Sequence, residues 1–143
     1  DELRSEIGHF LGVDSRHSII IVGVGNLGHA LMQNFRFHDA GFNLEAAFDI
    51  SPSLIGTQVA GTPILDMTEL ERFIPAHKPD VAVLTVPHAV AQSTANRLIG
   101  LGVRGFWNFT NVELTSDVPD VQFEDVHFAD SLLTLSYKIT SRS

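Results

Sequence analysis

The chain has no cysteine in its 143 residues. This excludes a disulfide scaffold and a thiolate metal site, and it fits a cytoplasmic protein. Basic residues are scarce as well, nine Lys and Arg against seventeen Asp and Glu, for a formal net charge of −8. Neutralising a nucleic-acid backbone takes clustered Lys and Arg, and here the few are scattered, so these residues are not expected to bind nucleic acid directly. No apolar stretch approaches the roughly 20 residues that cross a bilayer, which leaves no expected membrane partner. A charged start followed by an apolar segment is missing too, since the chain opens Asp1-Glu2. Without an initiator Met, a piece of a longer chain is expected. The seven histidines show no H-x₃-H spacing and no recurring carboxylate partner, so no metal is expected. The one tyrosine, Tyr137, stands directly beside Lys138, and no nucleophile arrangement or Tyr-x-x-x-Lys pattern is present.

Among what the chain does contain, the run Ile19-Ile20-Ile21-Val22 leads into Gly23-Val24-Gly25-Asn26-Leu27-Gly28 and then His29-Ala30-Leu31-Met32. This reads as strand, tight turn and helix start. In G-x-G-x-x-G the first glycine allows the turn, the second admits a pyrophosphate to the backbone, and the third lets helix and strand pack closely. The free N–H groups of the helix's first turn then face the phosphates. Leu27, Ala30, Leu31 and Phe35 are expected on the buried face of that helix. A second strand, Phe42 to Phe48, ends at Asp49, 21 residues after Gly28. A carboxylate there accepts hydrogen bonds from an adenosine ribose diol and repels a 2′-phosphate, which favours NAD over NADP. Ile50-Ser51-Pro52-Ser53 after it contains no Arg to welcome a phosphate. The alternative is a solvated Asp that only caps a turn.

Further along, Thr62 to Leu65 reads as a short strand, and Thr68 with Glu71 resembles a capping box before Leu70, Phe73 and Ile74. Val81 to Val86 is a second continuous apolar run, as expected of a central parallel strand covered on both faces. Pro87 stops it, a helix from about His88 to Ile99 follows, and strands over Val103 to Asn108 and Val121 to Val126 precede a final helix, Phe128 to Ile139. Strands alternating with helices of this length give an α/β fold: a Rossmann-type doubly wound, mostly parallel sheet with helices on both faces. Leu3, Ile7, Phe10 and Leu11 mark an amphipathic helix, either a lead-in from an upstream segment or an ordinary packing helix. Residues 1–17 are thus expected to be a linker and helix, 18–127 the nucleotide-binding domain, and 128–143 a C-terminal helix that packs on its own sheet or on a partner subunit.

The loops Thr85-Val86-Pro87-His88 and Asn108-Phe109-Thr110 leave neighbouring strands at their carboxyl ends and border the same ligand. Pro87 and Phe109 supply apolar surface for a nicotinamide and Asn108 a hydrogen bond to its carboxamide, unless Phe109 is simply a core aromatic. The expected cofactor-binding set is therefore Gly23, Gly25, Asn26, Leu27, Gly28, Asp49, Ile50, Thr85, Val86, Pro87, Asn108 and Phe109. No catalytic residue is expected; His88 stands where an acid would, but sequence places no partner beside it.

Val22 to Gly28, Ala47-Phe48-Asp49, Leu84-Thr85-Val86-Pro87, Gly105 to Phe109 and Leu132 to Tyr137 together resemble the redox-sensing transcriptional repressor Rex family, over nearly the whole chain. The resemblance implies a homodimeric bacterial repressor that senses the NADH/NAD⁺ ratio. It also implies a C-terminal helix exchanged between subunits, and operator DNA bound through an N-terminal winged-helix domain that these residues do not include. Two rival readings are a small NAD-dependent reductase with His88 as proton donor, and a coenzyme A or other nucleotide-binding module. Asp49 opposes the second, because its carboxylate would crowd the 3′-phosphate of coenzyme A.

Overall fold

A computed structural model describes residues 16–126 and Ile139. Seven strands form its sheet: β1 (His17–Val22), β2 (Phe42–Asp49), β3 (Gln58–Val59), β4 (Thr62–Asp66), β5 (Val81–Leu84), β6 (Gly105–Asn108) and β7 (Gln122–Asp125), in the order β3-β4-β2-β1-β5-β6-β7. Every neighbouring pair is parallel except β3 and β4. From β1 the chain builds outward through β2 to β4, then returns to the other side of β1 and builds through β5, β6 and β7. That reversal between β1 and β5 is a topological switch point, and open α/β sheets bind their ligands in the crevice at its carboxyl edge.

Burial on both faces explains why β1 and β5 are unbroken apolar runs. Ile20 and Val22 face one side, where Phe48, Ala82, Leu84 and Phe106 meet Leu70 and Ile74 of α2 (Leu70–His77) and Ala91, Ala95 and Leu98 of α3 (His88–Gly100). Ile19 and Ile21 face the other, with Ala47, Ile64 and Val83 packed against Val24, Phe37 and Met32, the last on α1 (Asn26–Asn34). Ile20, Ile21 and Val22 are 0% exposed. Each such side chain contributes about 1.5–3 kcal/mol relative to an exposed one, so the strand that carries the glycine turn is also the best-buried element.

The architecture is the one expected, but four local features differ. The buried residues of α1 are Gly28 and Met32, which continue a stripe from Val24; Ala30 is exposed, Leu27 and Leu31 are half-buried, and Phe35 caps the helix with 39% exposure. A glycine at the point of closest approach draws the helix in and sets the contact stripe through itself, with Leu31 packed against the core at its margin. The Thr68–Glu71 capping box does not form. Asp66 caps instead, accepting from the Thr68 N–H at 3.0 Å to start a 3₁₀ turn over Met67–Glu69, and Glu71 is drawn away by Arg97. Finally, two residues of β3 fold back on β4 as an antiparallel hairpin, too short to leave a pattern in the sequence. β1 begins at His17, inside the segment expected to be linker. The expected helices over residues 3–11 and 128–139 lie outside the described residues, apart from Ile139.

Gly28 carries the tightest packing. A Cβ added there would fall inside contact distance of the Gly23 carbonyl oxygen and 3.1 Å from Thr85 Oγ1. Gly28→Ala is expected to destabilise the chain by about 1–3 kcal/mol, the usual cost of overpacking. Thermal or urea melting checks this; an unchanged midpoint would contradict the packing described.

Candidate functional site

Gly23 ends β1 with φ +97°, a conformation that L side chains rarely adopt, and Val86 and the Thr85 carbonyl carbon lie about 3 Å from where its Cβ would be. Its N–H is held by the Phe48 carbonyl at 2.8 Å, and its carbonyl accepts a hydrogen bond from the Thr85 hydroxyl. The turn is thus tied to β2 on one side and β5 on the other. Gly25 is the N-cap of α1, with no side-chain cap and no acidic residue in the first turn. Nothing lies within 4 Å of a Cβ built on it. Uncapped N–H groups at a helix start, with open space before them, form a site for a phosphate.

Asp49 stands beside this turn because β1 and β2 pair with Val22 opposite Phe48. Its Oδ2 accepts from the Val24 N–H at 2.8 Å, and its Oδ1 from the N–H groups of Ile50 at 2.6 Å and Ser51 at 3.2 Å. The carboxylate therefore does cap its turn, the bland expectation for it. An ionised carboxylate has about four acceptor positions, and three N–H groups leave capacity at Oδ2 for a ligand hydroxyl.

A cavity of about 950 Å³ runs along the carboxyl edge of the sheet, at the upper end of the range for small-molecule sites. From the β4 side it is lined by Met67, then Asp49 and Ile50 after β2, Gly23, Val24 and Gly25 after β1, Thr85, Val86 and Pro87 after β5, and Phe109 and Thr110 after β6; His88, Val90, Ser93, Thr94 and Arg97 of α3 close its side. Eight of the expected residues, Gly23, Gly25, Asp49, Ile50, Thr85, Val86, Pro87 and Phe109, meet in it. Asn26, Leu27 and Gly28 do not line the cavity. They build the helix start behind it, Gly28 by its closeness to Gly23.

Asn108 is the correction. Its side chain is 1% exposed and its amide is already saturated: Nδ2 donates to the Val112 carbonyl at 2.7 Å and to Asp125 Oδ1 at 2.9 Å, while Oδ1 accepts from the Thr110 N–H at 3.0 Å and its hydroxyl at 2.6 Å. No valence is left for a carboxamide. Asn108 shapes the loop that presents Phe109 and Thr110, and Thr110 takes its place on the wall. Phe109 packs edge-on to Trp107 at 4.6 Å and lines the cavity as well.

Sequence reasoning did not single out Met67, Ser93 or Arg97. Arg97 forms a two-pronged ion pair with Glu71, Nε to Oε2 at 2.6 Å and Nη2 to Oε1 at 2.7 Å. The hydrogen bond from Arg97 holds the Glu71 carboxyl below its ordinary value, and Glu71 raises Arg97 in turn. A pair 26 residues apart leaves no local spacing signal. Among the described residues no group of three His, Asp or Glu is placed to hold a metal ion, and no helix is long and apolar enough to cross a membrane.

The fold and the cavity define a nucleotide-binding α/β domain, and residues 14–112 match the family model described as a CoA binding domain. Within that class the chain belongs to the Rex family of redox-sensing repressors. It is 41% identical, over 97% of its length, to the "redox-sensing transcriptional repressor Rex" of Caldanaerobacter subterraneus subsp. tengcongensis, and 42% identical over 94% to the protein so named in Clostridium botulinum. The chain spans about 62% of the first relative and 64% of the second. Among solved structures it is similar to RSP, a Rex-family repressor, with a TM-score of 0.83 and 38% identity over 99% of this chain and 67% of that one. RSP has also been crystallised with β-NADH, and with β-NAD⁺ and operator DNA.

Two predictions follow from the side chains just described. Asn108→Leu takes the acceptor from the N–H and hydroxyl of buried Thr110 and is expected to cost about 1–3 kcal/mol, the penalty for buried groups left unsatisfied, read by urea unfolding. Glu71→Gln removes a carboxylate whose folded value is depressed. The stability that Glu71 adds over Gln is therefore present above the ordinary carboxylate value of 4.5 and lost as pH falls through the folded one. With both side chains partly exposed, the difference at neutral pH should lie within about 1 kcal/mol, and melts of both chains from pH 7 to pH 3 should converge at the acid end.

Proposed function

We propose that this chain is the NADH/NAD⁺-sensing domain of a bacterial transcriptional repressor and that it binds NADH in preference to NAD⁺. The observation that carries the reading is the single cavity spanning β4 to β6, with an uncapped helix start at its middle and a fixed carboxylate on one side, in a chain 38% identical to a repressor crystallised with both forms of the cofactor. The pyrophosphate lies on the N-terminus of α1, where the helix dipole and free N–H groups favour negative charge. The adenosine ribose meets Asp49, and the nicotinamide lies toward Thr85, Val86, Pro87 and Phe109.

Redox preference follows from what lines that second end. Oxidised nicotinamide is a cation and reduced nicotinamide is neutral. Asp49 is the only carboxylate among the described lining residues, and it stands at the other end. An unpaired positive charge desolvated against Val86, Pro87 and Phe109 is unfavourable, so the neutral ring binds more tightly. Transmitting that difference to operator DNA takes a coupling of about 1–3 kcal/mol. In this reading the protein acts in the cytoplasm as a homodimer, with residues 1–17 leading from a DNA-binding domain and residues 128–143 forming the dimerisation helix. It catalyses no reaction. Coenzyme A is a poorer fit, despite the name of the family model, because its ribose 3′-phosphate would meet the Asp49 carboxylate.

Titration with NADH, followed by energy transfer from Trp107, the single tryptophan, whose ring lies 4.6 Å from that of Phe109, and displacement of the bound NADH by NAD⁺ test this. NADH is expected to bind at least tenfold more tightly, about 1.4 kcal/mol, and Asp49→Ala to weaken NADH while narrowing its advantage over NADPH. Equal affinity for both redox forms would sink the sensing function. Tighter binding of coenzyme A than of NADH would replace the ligand.

A further inference from the structure

The β4 end of the cavity holds a cation to which the proposed function gives no task. Arg97 reaches from α3 to the end of β4, where Nη2 donates to the Met67 carbonyl at 2.7 Å in addition to its two bonds to Glu71. These contacts occupy three of the five guanidinium hydrogens. The two on Nη1 meet no partner among the described residues, while Arg97 lines the cavity beside Met67, Asp49 and Ile50. Strand order fixes what lies there: β4 is outside β2, so this end is beyond Asp49 as seen from the glycine turn. With the ribose at Asp49, the next group outward is the base.

We infer that Arg97 is a binding residue for the adenine base of the dinucleotide, offering it Nη1 and the flat face of the guanidinium, with Glu71 and the Met67 carbonyl as its positioning groups. The inference rests on the dinucleotide reading above. A guanidinium stacks on aromatic faces and donates in its own plane, and adenine presents both a π face and ring-nitrogen acceptors. Arg97 has little freedom left to lose on binding, because three hydrogen bonds already fix its plane. Glu71 has a second effect: it balances the positive charge, so the site attracts a neutral base without recruiting an extra phosphate.

The test compares, within each variant, the affinity for NADH, for AMP and for reduced nicotinamide mononucleotide, which lacks the adenosine half. A general loss of stability lowers all three together, whereas loss of a contact to the base changes their ratio. Arg97→Leu is expected to weaken NADH and AMP by about fivefold, the scale of a partly exposed cation–π contact, and to leave the mononucleotide within twofold. Arg97→Lys keeps the charge and a long stem without the plane or the fork; it should behave like the Leu variant and serves if that one folds poorly. Unchanged NADH and AMP affinity in a folded Lys variant would overturn the assignment, as would an equal loss for the mononucleotide. If the unsubstituted chain binds no NADH, the dinucleotide function itself fails. If it binds NADH and the variants do too, only the role of Arg97 fails.

Discussion

The contact between Gly28 and the Gly23 carbonyl is the constraint on which the other features depend. With no Cβ at Gly28, α1 begins directly against the turn that ends β1. Its first N–H groups therefore emerge at the edge of the sheet, in the crevice between β1 and β5, and do not lie over the sheet's face. The Thr85 hydroxyl, bonded to the same Gly23 carbonyl, draws β5 into this contact, and the Gly23 N–H draws in β2 through Phe48. Three strands and one helix are thus referred to a single residue, Gly23. A displacement there would move the helix start, the carboxylate and the Thr85–Pro87 wall together, so their mutual geometry is more rigid than any one loop would make it.

Two polar residues at the carboxyl ends of strands show how that geometry assigns roles. Asp49 and Asn108 both end a strand and both accept backbone N–H bonds. Asp49 has donors from its own turn and from Val24 of the glycine turn, which orient it and leave acceptor capacity directed at open space. Asn108 has all four positions filled by Thr110, Val112 and Asp125. One is a preorganised acceptor beside a cavity, and the other is the buried brace of a loop. Preorganisation of this kind lowers the ordering cost of binding, and a saturated brace keeps Phe109 and Thr110 where the cavity wall needs them.

The parts legible in the sequence were those whose cause is local. Ile19 to Val22 and Val81 to Leu84 read as central strands because burial on two faces demands an unbroken apolar run. Gly23 to Gly28 read as a turn and helix start because each glycine answers a separate steric demand. What escaped has causes distant in the chain. The buried stripe of α1 runs through Gly28 and Met32 because the helix is drawn to β1 at a residue without a side chain, which a count of bulky apolar positions misplaces onto Leu27, Ala30, Leu31 and Phe35. Asp66 caps in place of Thr68, and Arg97, 26 residues beyond Glu71, holds the acid that a capping box would use. Asn108 looks like a free amide until β7 brings Asp125 alongside it.

The cavity is asymmetric in a way that bears on sensing. At the β4 and β2 end stand Asp49 and Arg97, the latter paired with Glu71, where the proposed function puts the half of a dinucleotide that never changes in a redox reaction. At the β5 and β6 end the wall is Thr85, Val86, Pro87, Phe109 and Thr110, with no carboxylate among the described lining residues there to offset a cationic ring. In the proposed function, affinity is supplied where the two redox forms are identical, and discrimination where they differ. An enzyme that turns both forms over gains nothing from holding one of them much more tightly, because a deeply bound product slows release. A receptor gains its signal from that same inequality, since a ligand shifts an equilibrium only by its differential binding to the two states. His88 at the start of α3 is the side chain nearest to a proton donor in the wall, and a signal carried by cofactor charge alone asks nothing of it.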